Sequence, residues 1–144
     1  MRQIVVIGGG AAGFFGAIRF AENNPDAQVI IIEQSKDVLG KVRVSGGGRC
    51  NVTHACFDPA ELCKYYPRGH KELRGPFHTF GPKETVQWFE SRGVKLKTEA
   101  DGRMFPVTDS SETIVNCLVN QARKLNISIF KGIKVLDIAF SSDD

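Results

Sequence analysis

The sequence predicts an α/β fold with a parallel central sheet, and three observations near its N-terminus support that class. Residues Gln3–Ile7 form a short β-branched run without polar alternation, which is typical of a strand covered on both faces. A cluster of glycines follows directly and leads into a predicted helix over Ala11–Asn23. Residues 28–32 then repeat the buried strand pattern. A strand, a helix and a second strand in this order form one βαβ unit, so the strands are expected to be parallel.

The remaining elements are predicted from local patterns of apolar, proline and glycine residues. Asp58 and Pro59 are expected to begin a short helix over 58–65, and residues 67–79 are predicted to be irregular. The later predictions are a helix over 82–91 closed by Gly93, a half-exposed strand over 94–98, a turn or short strand over 102–106, a helix over 112–125 capped by Asp109 or Ser110, a buried strand over 127–130, and a strand over 133–140 that starts a β-hairpin or meander. A polar turn is expected at 141–144.

Composition and charge narrow the function classes. The chain has 144 residues, of which 42% are hydrophobic and 24% charged, as in ordinary globular domains. Its net charge of +3 is too weak to predict a nucleic-acid partner or binding to an anionic membrane. No apolar run reaches the length of a membrane span, and glycines interrupt the N-terminal run where a signal peptide would continue. We therefore expect a cytoplasmic protein.

The four cysteines are Cys50, Cys56, Cys63 and Cys117. Three of them lie close together with a histidine between the first two, which raises a zinc site as one interpretation. Their spacing is wider than that of common zinc sites, so the pattern favours free thiols in a reducing compartment and no metal.

The glycine turn carries the first functional pattern, Gly8-x-Gly10-x-x-Gly13, placed between a strand and a helix. Gly8 permits the tight turn, Gly10 allows the backbone to approach a pyrophosphate, and Gly13 allows close packing of helix and strand. The free N–H groups and the dipole of the first helical turn then face the phosphates. Because strand, turn, helix and second strand occur in the required order, the pattern predicts dinucleotide binding.

Glu33 extends this pattern, since it lies 20 residues after Gly13 at the end of the second predicted strand. A carboxylate at this place accepts hydrogen bonds from a ribose. Its charge would repel a 2′-phosphate, which disfavours NADP at the turn. NAD and FAD both remain compatible with these residues.

A second functional pattern is the glycine-rich, basic stretch over residues 40–53, centred on Ser45-Gly46-Gly47-Gly48-Arg49-Cys50-Asn51. Three successive glycines followed by Arg-Cys-Asn are not explained by core packing. They suit a backbone that wraps closely around a flat or phosphorylated ligand. A mobile surface loop is the alternative interpretation.

Three stretches together resemble a known family: residues 4–13, the motif over 45–53, and Gly-Arg-Met-Phe-Pro at 102–106. The sequence is similar to the bacterial NAD(P)/FAD-dependent flavoproteins whose members are labelled BaiN-like or aminoacetone-oxidase-like. The motif over 45–53 is the distinctive one, since many flavoproteins share the first. The resemblance implies that residues 1–144 are the N-terminal part of an FAD/NAD(P)-binding domain. A second domain and a C-terminal FAD-contacting segment are expected outside this chain.

This resemblance implies a Rossmann-like FAD-binding domain, with FAD and not NAD at the glycine turn. The residues implied to hold the pyrophosphate are Gly8, Gly10, Ala11, Ala12 and Gly13. Those implied at the adenosine are Glu33 and Gln34 for the ribose and Val135 for a backbone contact to adenine. Those implied along the path to the flavin are Lys41, Ser45, Gly46, Gly47, Gly48, Arg49, Cys50 and Asn51.

The leading hypothesis is therefore the FAD-binding part of an oxidoreductase that acts on a small organic substrate, with NAD(P)H as a candidate electron donor. An NAD-dependent dehydrogenase and a non-catalytic FAD- or nucleotide-binding module are the alternatives. Cys50 is a candidate redox thiol whose pKa Arg49 would lower. It lacks a second cysteine at short spacing, so a packing role is favoured. No catalytic residue and no oligomeric state are predicted.

Overall fold

The computed structural model describes residues 2–140, and the chain divides into two compact units. Unit 1 comprises Met1–Val42 with Leu118–Asp144, and unit 2 comprises Arg43–Cys117. The described elements, in chain order, are β1 (Gln3–Ile7), α1 (Ala11–Asn23), β2 (Gln28–Glu33), α2 (Gly40–Gly48), β3 (Thr53–His54), α3 (Pro59–Cys63), α4 (His70–Thr79), α5 (Pro82–Glu90), β4 (Leu96–Thr98), β5 (Arg103–Pro106), α6 (Ser111–Lys124) and β6 (Ser128–Lys131).

Unit 1 is built on a parallel sheet whose strand order, within the described residues, is β1-β2-β6. Val5 pairs with Ile30, and Ile7 pairs with Ile32. Helix α1 packs against β1 and β2. Its buried residues recur every three or four positions and therefore lie on one face of the helix. The buried residues of that face are Phe14, Ala17, Ile18 and Ala21. The predicted βαβ unit and the parallel sheet are confirmed.

The sequence predicts that both faces of this sheet are buried, and for the described residues that prediction is wrong. Alternate side chains of a strand point to opposite faces. Val29 and Ile31 are buried, whereas Val5 and Ile7 are 49% and 54% exposed. The β-branched run therefore predicts the strand correctly, but in the part of the chain that the structure describes only one face is well covered.

The strand expected over 133–140 is absent from the described residues, and with it the start of the β-meander. The third strand pairs with β2 only as far as Lys131, and Gly132 then takes a left-handed φ of +71°. The N–H groups of Gly132 and Ile133 donate to the carbonyls of Ser35 and Glu33, at 3.0 Å each. Alternation of apolar residues produces a strand only where a neighbouring strand takes up its backbone hydrogen bonds. The turn expected at 141–144 lies outside the described residues.

Unit 2 contains an antiparallel sheet of the order β3-β5-β4. Met104 lies opposite Thr53 on one side and Thr98 on the other. Phe105 is fully buried, and helix α5 packs near β3 with Trp88 and Phe89 buried. The tentative strand over 102–106 is thus the central strand of this sheet.

The helices of unit 2 show where local signals suffice. The Asp58 carboxylate accepts a hydrogen bond from the Glu61 N–H at 2.8 Å, and Pro59 occupies the first turn, as predicted. Helix α4 was not predicted, because it buries no residue and carries Pro76 in its interior. Gly75 and Pro76 are typical of turns and loops, so the pattern does not indicate a helix here. Among residues 2–140, no helix has both the length and the apolar character needed to cross a membrane.

Candidate functional site

The glycine turn between β1 and α1 has the geometry that its sequence predicts. Gly8 adopts a φ of +103°, and its N–H donates to the Ile32 carbonyl at 2.8 Å, which ties the turn to β2. A Cβ atom at Gly13 would lie 1.9 Å from the Gly8 carbonyl oxygen. No real side chain tolerates that separation, so close packing of helix and turn requires glycine at position 13.

The N-terminus of α1 is open to a ligand. Gly10 is the N-cap and supplies no capping side chain, and the first turn carries no acidic residue. A Cβ at Gly10 would meet no protein atom within 4 Å, and Ala11 and Ala12 are exposed. The first N–H groups of a helix carry a partial positive charge, so this end is suited to an anion such as a pyrophosphate.

Glu33 is held at the end of β2 by two backbone groups. Its Oε2 accepts the Gly9 N–H at 2.7 Å, and its Oε1 accepts the Ser35 N–H, also at 2.7 Å. These hydrogen bonds, the one from Ser35 first, lower the pKa of the Glu33 carboxyl below its ordinary value. The Ser35 side chain and the Gln34 N–H add further hydrogen bonds to the carboxylate. A ribose hydroxyl would bind at the lone pairs that remain. Gln34 follows Glu33 on the exposed side of the chain.

Two residues of this turn were missed from the sequence. Gly9 is one, since a Cβ there would lie 2.9 Å from Val38 Cγ1 and 3.1 Å from Glu33 Cβ. Leu39 is the other: it is buried with a φ of +60°, and its N–H donates to the Gly9 carbonyl at 2.8 Å. The run of three glycines was a usable signal for Gly9. Nothing in the sequence marks a leucine for a left-handed conformation.

The lowered pKa of Glu33 predicts a pH dependence of stability. A depressed folded-state pKa contributes stability that is fully present above the unfolded-state pKa of the carboxyl and is lost as pH falls through the folded-state pKa. We expect Glu33→Gln to destabilise the protein at neutral pH and the difference from the unaltered protein to vanish in acid. Denaturant unfolding of both proteins between neutral pH and about pH 3 measures it. A difference that stays constant over that range would contradict the assignment.

The loop over 45–51 overlaps the end of α2, where the backbone angles of Ser45, Gly46 and Gly47 are not helical. It is an ordered turn whose shape depends on glycine. Gly46, Gly47 and Gly48 all take left-handed φ values, of +56°, +69° and +85°. The Cys50 N–H closes the turn on the Ser45 carbonyl at 3.0 Å. A Cβ at Gly46 would lie 2.7 Å from both the Asn51 nitrogen and Phe105 Cε1. These contacts favour a built loop over the mobile-loop alternative.

Arg49 is engaged within unit 2. Its guanidinium pairs with the Glu99 carboxylate, lies 3.4 Å from Asp109 Oδ1, and stacks over the Phe105 ring at 4.0 Å. The hydrogen bond to Glu99 raises the pKa of Arg49 above its ordinary value. Since its charge is already paired, Arg49 fixes the loop and leaves the glycine backbone as the surface that a ligand would meet.

Cys50 does not have the surroundings of a reactive thiolate. It is buried with a φ of +62°, and burial raises the pKa of its thiol, partly offset by a hydrogen bond with Ser45. Arg49 is occupied by Glu99 and does not act on this thiol. The geometry therefore favours the packing role for Cys50 over the redox role.

The predicted site residues fall in two groups. Unit 1 holds the glycine turn, Glu33 and Gln34, with Lys41 exposed on α2 and Val135 half-buried beyond β6, on a segment that is not a strand. Unit 2 holds the loop from Ser45 to Asn51, in which the structure brings Arg49 and Gly46 against Phe105.

Comparison with known families decides the class of this chain. The family model described as the HI0933-like protein Rossmann domain matches residues 2–144. The chain belongs to the HI0933-like Rossmann family. The match confirms the Rossmann class predicted from the glycine turn and, together with the relatives, the flavoprotein family that the sequence resembles.

Relatives of this HI0933-like chain carry different names. A 3-dehydro-bile acid Δ(4,6)-reductase of Clostridium scindens is 32% identical over 99% of this chain and 34% of its own length. A ribosomal RNA dihydrouridine synthase of Escherichia coli is 27% identical over 94% of this chain and 32% of its own length. The chain thus spans about a third of these relatives. An open-conformation flavocytochrome c3 fumarate reductase shares the fold with a TM-score of 0.68 at 20% identity, over 99% of this chain and 28% of that one.

Proposed function

We propose that this chain is the FAD-binding portion of a flavin-dependent oxidoreductase that acts on a small organic substrate in the bacterial cytoplasm. The observation that carries the proposal is the glycine turn of unit 1. Gly13 packs against the Gly8 carbonyl, and the uncapped N-terminus of α1 faces outward beside the anchored Glu33. The names of the relatives support the redox class, since they describe a reductase and a dihydrouridine synthase.

The residues of the turn fit the adenosine diphosphate half of FAD. The open space at Gly10 admits the pyrophosphate, and the N–H groups at Ala11 and Ala12 point to it from the helix end. Glu33 accepts the ribose hydroxyls with the lone pairs that Gly9 and Ser35 leave free. Gln34 and Val135 are the adjoining adenosine contacts, and Lys41 and the loop from Ser45 to Asn51 contact the flavin half.

FAD, when bound, supplies the acceptor of a hydride or of single electrons, with NAD(P)H as the proposed donor. The protein's part is to bind and orient it. A Cβ at Gly47 would meet no atom within 4 Å, and a Cβ at Gly48 would meet only the Arg43 carbonyl oxygen, at 4.0 Å. A flat ring can therefore approach this backbone closely.

Flavin content of the full-length protein tests the proposal. We expect the purified protein to show the visible absorption bands of bound flavin, or to gain them on addition of FAD. Titration with NADH in place of FAD is the matched control, because an NAD-dependent dehydrogenase would bind NADH tightly and FAD not at all. Tight binding of NADH without binding of FAD would overturn the proposal. Bleaching of bound flavin by NADH or NADPH under anaerobic conditions would identify the donor.

A further inference from the structure

Unit 2 carries a concentration of positive charge that the net charge of the chain conceals. Residues 64–74 contain four lysines and arginines and a single acid, so this segment alone has the +3 charge of the whole chain. Lys64 is paired with Glu61 at 2.7 Å. Lys71 and Arg74 are exposed and form no ion pair or hydrogen bond with any described residue. Two cations without counter-charges are therefore available to an anion.

These cations line a cavity of about 510 Å³ in unit 2. Its walls include Lys64, Tyr66, His70, Lys71 and Arg74. His70 and Lys71 open helix α4, whose N-cap Gly69 provides no capping side chain. The positive end of the helix dipole adds to the charge of these side chains. Glu72, in the first turn, is the one acidic residue of this segment. A phosphate matches this combination of cations and helix end.

A second cavity, of about 500 Å³, has aromatic walls. The ring of Tyr66 lies 5.4 Å from that of Phe77, and the ring of Tyr65 lies 4.6 Å from that of His54. Thr53 and Thr85 add hydrogen-bonding groups to the same wall, and Asn51, the last residue of the loop proposed to contact the flavin, also lines this cavity. The Nδ1 atom of His54 is buried and has no hydrogen-bond partner among the described residues. Stacking surfaces with a few polar groups suit a planar ring that carries donors and acceptors.

Tyr66 lines both cavities, so the ring-binding and anion-binding walls adjoin within unit 2. We propose that this surface binds a nucleotide, with the base against Tyr66 and Phe77 and the phosphate at Lys71 and Arg74. The proposed site lies within unit 2, whereas the glycine turn belongs to unit 1. The proposal does not depend on whether that turn holds FAD or NAD. The nucleotide has two sources, a free mononucleotide or a unit of single-stranded RNA, and the test distinguishes them.

Binding of UMP to the FAD-loaded, full-length protein tests the site, with calorimetry as the measurement. UMP is chosen over AMP because the glycine turn is expected to bind adenine nucleotides. We expect UMP to bind more tightly than inorganic phosphate. Tyr66→Ala should lower the affinity for UMP about tenfold or more. Tyr66→Phe keeps the stacking ring and should change that affinity little. Tyr66 is 39% exposed, so neither substitution disturbs a buried core.

Charge reversal separates the anion wall from general charge. The double variant K71E/R74E should bind UMP about tenfold more weakly, and its binding should depend less on salt. The matched control is K83E with K95E, which alters the charge of exposed lysines in unit 2 that line neither cavity and should leave binding within about twofold.

The outcomes decide the proposal in either direction. Oligouridylate that binds much more tightly than UMP supports the site with RNA as the source, and equal affinity supports a free mononucleotide. Failure of UMP and oligouridylate to bind, or UMP affinity unchanged in Tyr66→Ala and in the charge-reversed variant, overturns it. Release of FAD by UMP also overturns it, because the surface would then belong to the cofactor site. Flavin absorption, recorded beforehand, reports separately on the proposed FAD function.

Discussion

Replacing Gly13 with alanine is expected to be the most damaging single change in unit 1. The new Cβ would lie 1.9 Å from the Gly8 carbonyl oxygen and 3.4 Å from Val6 Cγ1. The obstacle at 1.9 Å is backbone, so helix α1 must move away from β1 or the turn must open. We expect a loss of about 3 kcal/mol of unfolding free energy, the upper end of the usual cost of overpacking, a fall in Tm of roughly 10 °C, and a loss of bound FAD.

The same substitution three residues later provides the control. Gly16 is exposed on α1, and a Cβ there meets no atom within 4 Å. Gly16→Ala should therefore stabilise the helix by up to about 1 kcal/mol, because alanine has the higher helix propensity. Thermal unfolding of the two variants and flavin absorbance give both readouts. If the Gly13→Ala variant has the Tm of the unaltered protein and retains its flavin, the turn is not packed as described.

Replacing Gly10 with alanine is expected to abolish cofactor binding while leaving the fold intact. The protein has free space for the methyl group at this position, since no atom lies within 4 Å of its Cβ. The space is the one assigned to the pyrophosphate, so the methyl group would collide with the ligand alone. We expect FAD affinity to fall about a hundredfold, equivalent to about 2.7 kcal/mol. The unfolding free energy should fall by only about 1 kcal/mol, because alanine is a poorer N-cap residue than glycine.

Equilibrium titration with FAD, followed by quenching of flavin fluorescence, measures the loss. Gly16→Ala again serves as the control, because it adds a methyl group to the same helix away from the turn. Gly10→Ala with unchanged FAD affinity would place the pyrophosphate elsewhere and would contradict the proposed function. Loss of stability equal to that of Gly13→Ala would contradict the open geometry at Gly10.

The first βαβ unit could be predicted from the sequence because each of its signals is local. Continuous β-branched runs give β1 and β2, and the glycine turn with Asn24 and Pro25 delimits α1 at Ala11–Asn23, as the structure has it. The spacing from Gly13 to Glu33 likewise identifies the carboxylate that the structure places beside Gly9. These features depend on residue type and order, which are visible in the chain.

What the sequence could not show depends on tertiary contacts. Helix α4 contains Gly75 and Pro76, which are typical of loops, and residues 133–140 alternate like a strand without having a described partner. Pairing of Arg49 with Glu99 joins residues 50 positions apart, so the sequence could not show that this arginine secures its own loop. The αL conformation of Leu39 is imposed by its burial and by its bond to Gly9 against its own preference.

The two hydrogen bonds that hold Glu33 have a consequence for the energetics of recognition. A free carboxylate must give up its rotamers when it captures a ligand, at a cost of about 0.5–1.5 kcal/mol. Gly9 and Ser35 have already imposed that order on Glu33 through their N–H groups. An incoming ribose therefore meets a preorganised acceptor and forgoes this entropic penalty. The hydrogen bond from the Gly9 N–H also connects the phosphate-binding turn to Glu33. A change in the conformation of that turn would therefore shift the carboxylate that binds the sugar.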